Sequence, residues 1–199
     1  MLEKTKVAVL VSGGGTNLQA IIDAEKSGII KDGEVVLVVS SSRKAYALQR
    51  AEKNGIKAVY AKNEEEILAA LEEAGAELIV LAGFLKILSK DFIRKYENRI
   101  INIHPSLIPS FCGKGAYGLH VHEMALDYGV KVTGATVHYV NEIPDGGKII
   151  AQKAVEIQDG DTPEILQKRV MEQAEWILLP RAVQQISADI RKGKENDNN

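Results

Sequence analysis

Asn102 and His104 stand two residues apart in "INIHPSLIPS", at the end of an apolar run. On an extended chain, residues two apart share a face. Pro105 disfavours helix at His104, so the extended conformation should hold as far as the histidine. A fixed amide donor beside a titratable imidazole suits two tasks of acyl transfer, holding an oxyanion and moving a proton. Asp145, in "NEIPDGGK", is a carboxylate that could bias the imidazole toward its charged form, near neutrality. Each residue also has a plainer reading. Asp145 before two glycines makes a hairpin-type turn. A lone histidine is more often structural than catalytic, and Asn102 could tie down the following loop. Convergence at the C-terminal edge of an α/β sheet, where ligands of open sheets bind, would favour chemistry.

A second candidate is the glycine turn in "VSGGGTNLQ", with Gly14, Gly15, Thr16 and Asn17 leading into a helix. Backbone N–H groups of such a turn, together with the helix N-terminus, make an anion site. Gly13 and Gly15 give G-x-G, but Leu18 stands where a dinucleotide fingerprint has its third glycine. No G-x-x-x-x-G-K-[ST] pattern is present either. A single phosphate and a tight βα turn capped by Thr16 or Asn17 are equally compatible with this stretch alone.

Other residue types point away from alternative chemistries. No serine sits in a G-x-S-x-G elbow. His120 and His122 in "HVHE" diverge on a helix, and H-E-x-x-H is absent, so both read as structural and no metal is expected. Cys112 lies in "SFCGKGAYG" with nothing nearby to lower its pKa, and reads as a passive thiol.

The elements that must position these groups alternate along the first half. Strand-like runs at 6–12, 34–41, 57–61 and 77–83 alternate with helix-like stretches at 17–28, 45–55 and 64–75. The strands are nearly continuous in apolar residues, the mark of a parallel sheet covered on both faces. Gly28, Gly55 and Gly75 fall at helix C-caps. The pattern predicts a doubly wound α/β fold with a mostly parallel sheet. A fifth strand covers 99–104, and a helix lies near 119–129. The runs 131–140 and 147–157 alternate more and should pair antiparallel. Thr162 and Pro163 open a long amphipathic helix to about Ile190, with a break expected at Pro180. Residues 1–190 form one domain on this reading, and the polar 191–199 a disordered tail.

The whole chain fits this picture. At 199 residues one domain is the default, and 45% apolar with 26% charged residues is ordinary for a globular protein. A net charge of −2 gives no reason to expect nucleic acid. No apolar run approaches a membrane span, no signal peptide is expected at the N-terminus, and a single cysteine excludes an internal disulfide. A cytoplasmic protein without membrane partners is expected.

An ordered set of motifs then carries a family resemblance. From Lys6 to about Val183, "VLVSGGGTNLQAII", "LAGFLKILS", "INIHPSLIP", "GLHVHEMAL", "GATVHYVNEIPDGGKIIAQ" and "RVMEQAEWILLP" occur in order and at near-family spacing. The chain resembles the phosphoribosylglycinamide formyltransferases, folate-dependent enzymes of purine synthesis. The resemblance implies a formyltransferase fold with a Rossmann-like N-terminal half. It implies catalytic roles for Asn102, His104 and Asp145. Gly14, Gly15, Thr16 and Asn17 would hold the ribotide phosphate, and Glu175 the ribose hydroxyls. Leu85, Lys86, Ile87 and Leu88, with Asn102 and the segment Asn141, Glu142, Ile143, Pro144 and Asp145, would hold the folate ring. The co-substrates implied are glycinamide ribonucleotide and 10-formyltetrahydrofolate, with no metal, in a monomer or homodimer.

The chain departs from the family pattern in places. The 110–118 loop is longer, Lys86 replaces a common arginine, "KNEEEIL" lacks an arginine some relatives carry, and Asn141 replaces threonine or aspartate. Formyltetrahydrofolate hydrolase is the closest rival, because only exclusion of water separates transfer from hydrolysis. Methionyl-tRNA formyltransferase needs a further domain. A non-catalytic phosphate-binding α/β protein would need the glycine turn but not the Asn–His–Asp set.

Overall fold

The computed structural model describes residues 3–197. Strands β1 (Thr5–Val11), β2 (Gly33–Ser40), β3 (Lys57–Tyr60), β4 (Leu78–Leu81) and β5 (Ile100–His104) are mutually parallel. Strands β6 (Val132–Tyr139) and β7 (Ile149–Glu156) extend the sheet antiparallel, in the order β3-β2-β1-β4-β5-β6-β7. Side chains alternate between two apolar layers. Val7, Val9 and Val11 of β1 enter one core, and Ala8 and Leu10 the other. This two-sided burial is why the strands read as unbroken apolar runs.

Helices α1 (Thr16–Lys26), α2 (Tyr46–Lys53), α6 (Pro163–Val170) and α7 (Trp176–Asp197) cover the first face, contributing Leu18, Ile21, Ala47, Leu166, Leu179 and Val183. The other face is covered by α3 (Glu64–Ala74) and α4 (Lys90–Lys95), through Ile67, Leu71 and Phe92. The short helix α4 carries no apolar repeat long enough to be read from the sequence. Ser89 starts it, its side chain accepting from the Phe92 N–H. Helix α5 (Leu119–Tyr128) follows the glycine-rich loop.

The C-terminal helix differs from expectation in two ways. Its irregularity lies at a π-helical turn, Met171–Glu175, and not at Pro180. Pro180 is the fifth residue of α7. The carbonyl its missing N–H would have reached belongs to Trp176, at the junction where the ladder is already interrupted. The stretch from 191, expected to be disordered, continues as helix through Asp197, while 198–199 lie outside the described residues. Ion pairs hold it: Arg191 with Asp32, and Lys194 with Glu77 at 2.6 Å.

The sheet order reverses beside β1, which lies between β2 and β4. The crevice outside the C-terminal ends of β1, β4 and β5 is therefore where this topology admits a ligand.

Candidate active site

β5 ends inside that crevice with Asn102 and His104 side by side, and the loop after β6 brings Asp145 to meet them. The His104 Nδ1 lies 3.6 Å from Asp145 Oδ2. Its Nε2 lies 2.9 Å from the Phe111 carbonyl, so this nitrogen carries a proton. Asp145 has a left-handed backbone, φ 54°, and its Oδ2 accepts the Gly113 N–H at 2.8 Å. The turn expected at Asp145 is thus present, and it carries the carboxylate to the imidazole. Gly147 makes the loop possible, because a Cβ there would lie 1.6 Å from the Tyr139 carbonyl oxygen.

Electrostatics correct one expectation. Burial is the largest influence on His104 and lowers its pKa. Asp145 and the Phe111 carbonyl raise it, His138 lowers it, and the net is below the ordinary histidine value. The carboxylate alone does not keep this imidazole charged near neutrality. Burial pushes the Asp145 carboxyl up, but His138, His104 and the Gly113 N–H together bring it below its ordinary value. Asp145 is therefore ionised, and the labile proton of the pair is on the imidazole.

His138 is the residue that sequence reasoning missed. It pairs with Asn102 across the antiparallel β5–β6 ladder. Its Nε2 lies 3.1 Å from Asn102 Nδ2 and 3.6 Å from Asp145 Oδ1. The only signal was its place in "TVHYV", and that has no meaning until the strand register is known.

A cleft of about 140 Å³ opens beside this group. It is lined by Lys86, Ile87 and Leu88 on one side and by Asn141, Glu142, Ile143, Pro144 and Asp145 on the other, with Asn102 and His138 at its base. Leu85 is not part of the lining. Its N–H donates to Ser12 Oγ at 2.9 Å, which ties this segment to the glycine turn. Glu142 is held by Lys90 at 3.0 Å and Arg94 at 3.3 Å.

The glycine turn does not use Thr16 or Asn17 as its cap. Gly15 is the N-cap, with φ 73°, and no side chain caps the helix. The first-turn N–H groups of α1 thus lack intrahelical acceptors and face outward from the turn. Asn17 is freed to donate its Nδ2 to Glu175 Oε2 at 2.6 Å, which joins the turn to the π-helical segment. Arg50, unremarked in the sequence, donates its Nε to the Gly14 carbonyl at 2.8 Å. Gly15→Ala is expected to disrupt this turn. Left-handed backbone costs a non-glycine residue about 1–2 kcal/mol. The added Cβ would also lie 2.6 Å from that of Ala47. A lowered melting temperature and an anion affinity reduced by tenfold or more, measured with inorganic phosphate or a sugar phosphate, are the expected outcomes.

Glu175 is 5% exposed, and burial raises its pKa to about 7, opposed by the Asn17 hydrogen bond. A larger cavity, about 730 Å³, lies between α1 and α7 and touches Thr16, but it contains none of Asn102, His104 and Asp145. His120 pairs with Glu123 at the surface. Cys112 donates to the Pro109 carbonyl, and burial with the Asp145 charge raises its thiol pKa. Among the described residues no group of three His, Cys, Asp or Glu is placed to hold a metal, and no helix is long and apolar enough to cross a membrane.

His122 is 1% exposed and neither ring nitrogen has a hydrogen-bond partner. Burial, with the neighbouring His104, lowers its pKa to about 4. Between the unfolded value of 6.5 and about 4, the unfolded chain binds the extra proton, so stability falls as pH falls. The full difference corresponds to about 3 kcal/mol. In a Glu175→Gln background, urea unfolding at pH 7 and pH 4.5 should show this slope, and adding His122→Phe should flatten it.

Comparison with known proteins places the chain in a family. The formyl transferase family model matches residues 5–183. A trifunctional purine biosynthetic protein adenosine-3 from Gallus gallus is 45% identical over 194 residues, covering 93% of this chain, which spans only 19% of that protein. A phosphoribosylglycinamide formyltransferase from Haemophilus influenzae is 38% identical over 96% of this chain and 91% of its own length. The crystal structure of phosphoribosylglycinamide formyltransferase from Brucella melitensis superposes with a TM-score of 0.83 at 42% identity, covering 94% of this chain and 97% of that one. With 179 consecutive residues under one family model and a shared fold at this identity, the chain belongs to the formyl transferase family.

Proposed function

We propose that this protein transfers the formyl group of 10-formyltetrahydrofolate to the amine of glycinamide ribonucleotide, giving formylglycinamide ribonucleotide and tetrahydrofolate in purine synthesis. The observation that carries the reading is the meeting of Asn102, His104 and Asp145 at one sheet edge, beside the cleft between the 86–88 and 141–145 segments and on the same edge as the glycine turn. Relatives at similar length bear this enzyme's name.

The ribotide phosphate sits on the first-turn N–H groups of α1, beside Gly14, Gly15, Thr16 and Asn17. Glu175 accepts from the ribose hydroxyls. The folate ring enters between the 85–88 and 141–145 segments. The amine attacks the formyl carbon, and the carbonyl oxygen becomes an oxyanion. Asn102 Nδ2 and a proton on His104 Nδ1 donate to that oxygen. Nε2 of His104 is held by the Phe111 carbonyl, so only the Nδ1 edge faces the reacting group and Asp145. The 3.6 Å separation of Nδ1 from the carboxylate is too long for a good hydrogen bond. Developing negative charge therefore becomes the partner that holds the imidazole proton as the reaction proceeds. Asp145 assists transfer of the excess proton from the incoming amine to the leaving folate nitrogen. The carbon–nitrogen bond to folate then breaks. Holding the two reactants together supplies much of the remaining rate. No metal takes part. The enzyme acts on small molecules without nucleic acid or membrane, as a monomer or homodimer in the cytoplasm.

Mass spectrometry of the ribotide after incubation with enzyme and 10-formyltetrahydrofolate tests this reading. Gain of one carbonyl unit on the ribotide is expected. Formate release with the ribotide unchanged would replace transfer by hydrolysis.

A further inference from the structure

His138 lies at the base of the cleft, 2% exposed, with no part in the reaction outlined above. Its ring is constrained at both nitrogens. Nδ1 is 2.8 Å from the Tyr139 carbonyl oxygen, which can only accept, so Nδ1 carries the hydrogen. In the neutral ring Nε2 is then bare. It lies 3.1 Å from Asn102 Nδ2, and an amide nitrogen can only donate. Both hydrogen bonds in the chain from Asn102 through His138 to Tyr139 thus join a donor to an acceptor.

The two ends of an asparagine amide have opposite chemistry. The nitrogen end stabilises an oxyanion and the oxygen end repels one. An unrestrained amide can turn over and exchange them. The bare Nε2 of His138 accepts from the nitrogen and has no hydrogen for the oxygen. The geometry points to His138 as a positioning residue that selects the amide orientation of Asn102, keeping its nitrogen on the Asp145 side of the cleft. One amide hydrogen goes to His138, and the second is left for the substrate oxygen. The titratable groups facing the His138 ring are Asp145 and His104. The contact to Asp145, 3.6 Å, is longer than a hydrogen bond, so Asn102 is the group His138 controls. The catalytic part of this inference rests on the formyl-transfer reading. The orientation itself does not.

Two measurements test it. The first is independent of activity: nitrogen-15 spectra of histidine-labelled protein at pH 7.5, with His138 assigned by its loss in His138→Gln. A neutral ring protonated on Nδ1 is expected, and a ring protonated on Nε2, or doubly protonated, would overturn the proposal. The second is kinetic. Loss of an oxyanion donor costs about a hundred- to a thousandfold in kcat, so His138→Phe, which releases the amide to both orientations, should cost about twofold where the two become equally populated and more where the flipped one prevails, with both KM values little changed. His138→Gln, whose amide oxygen can still accept from Asn102, should recover most of the loss. In an Asn102→Ala background, His138→Phe should cost nothing further. Equal losses in both backgrounds, or a change confined to KM, would show that His138 acts otherwise. Should His138→Phe fail to fold, the ring spectrum of the wild type decides alone. A wild type that never formylates the ribotide would sink the functional proposal while leaving the spectrum as a test of orientation.

Discussion

His104→Ala is expected to lower kcat/KM for formyl transfer by about a thousandfold, the middle of the range for a positioned proton donor. Both KM values should stay within a few-fold, since in the proposed mechanism the imidazole meets the reacting oxygen and not the ribose or the folate ring. The reason lies in how few groups can do its work. Asn102 is a second donor, but it cannot move a proton. Asp145 can accept a proton, but it repels an oxyanion unless a hydrogen lies between them. His104 supplies that hydrogen, oriented by the Phe111 carbonyl on its far nitrogen. His104→Gln keeps a neutral donor and fills more of the space, so it guards against a loss caused by misfolding alone. It should remain at least about a hundredfold below wild type. Steady-state rates for both variants, read beside their melting temperatures, check this. A loss confined to KM would place His104 in binding.

Glu175→Gln is expected to stabilise the fold while weakening ribotide binding. The carboxyl is 5% exposed and its pKa is raised to about 7 from an ordinary 4.5. Between those values the folded state holds a proton that the unfolded state has lost. Stability therefore declines as pH rises from 4.5 to 7, and is level above. The full difference is about 3 kcal/mol. Glutamine never ionises, so the variant should gain up to that amount at pH 8 and nothing at pH 4. The Asn17 hydrogen bond survives, because the glutamine oxygen also accepts. On the proposed reading, one of the two acceptor oxygens offered to the ribose becomes an NH₂. Hydrogen bonds to charged groups contribute roughly 1.5–3 kcal/mol, so the ribotide KM should rise by about tenfold or more. Urea titrations at pH 4 and pH 8, with KM measured at pH 8, check both halves. In wild type the slope from Glu175 opposes the one from His122 over the shared range. Each becomes visible only when the other is removed.

Where the sequence was legible, local pattern and global packing agree. The apolar runs of β1 and β4 read as buried strands because both of their faces are covered, and nothing else in the chain competes with that assignment. Asn102 and His104 were legible because a proline follows and their spacing is two. Asp145 was legible both as a turn residue and as a carboxylate that could bias the imidazole, and the motif resemblance chose between the two. His138 was out of reach for a physical reason. Its meeting with Asn102 spans 36 residues and depends on the β5–β6 register, which no local feature sets. Glu175 has no local signal either, since its burial follows from a π-helical turn packed on the glycine loop. The His104 pKa could be judged from its carboxylate neighbour but not from its burial, and burial outweighs the neighbour. The polar end of α7 looked like a tail because its partners, Asp32 and Glu77, lie more than a hundred residues away.

Consumption of 10-formyltetrahydrofolate by the wild type, with and without glycinamide ribonucleotide, tests the central claim most directly. Consumption that depends on the ribotide, with tetrahydrofolate formed in step with formylated ribotide, is the predicted result. Consumption at the same rate without the ribotide would contradict transfer and make water the acceptor.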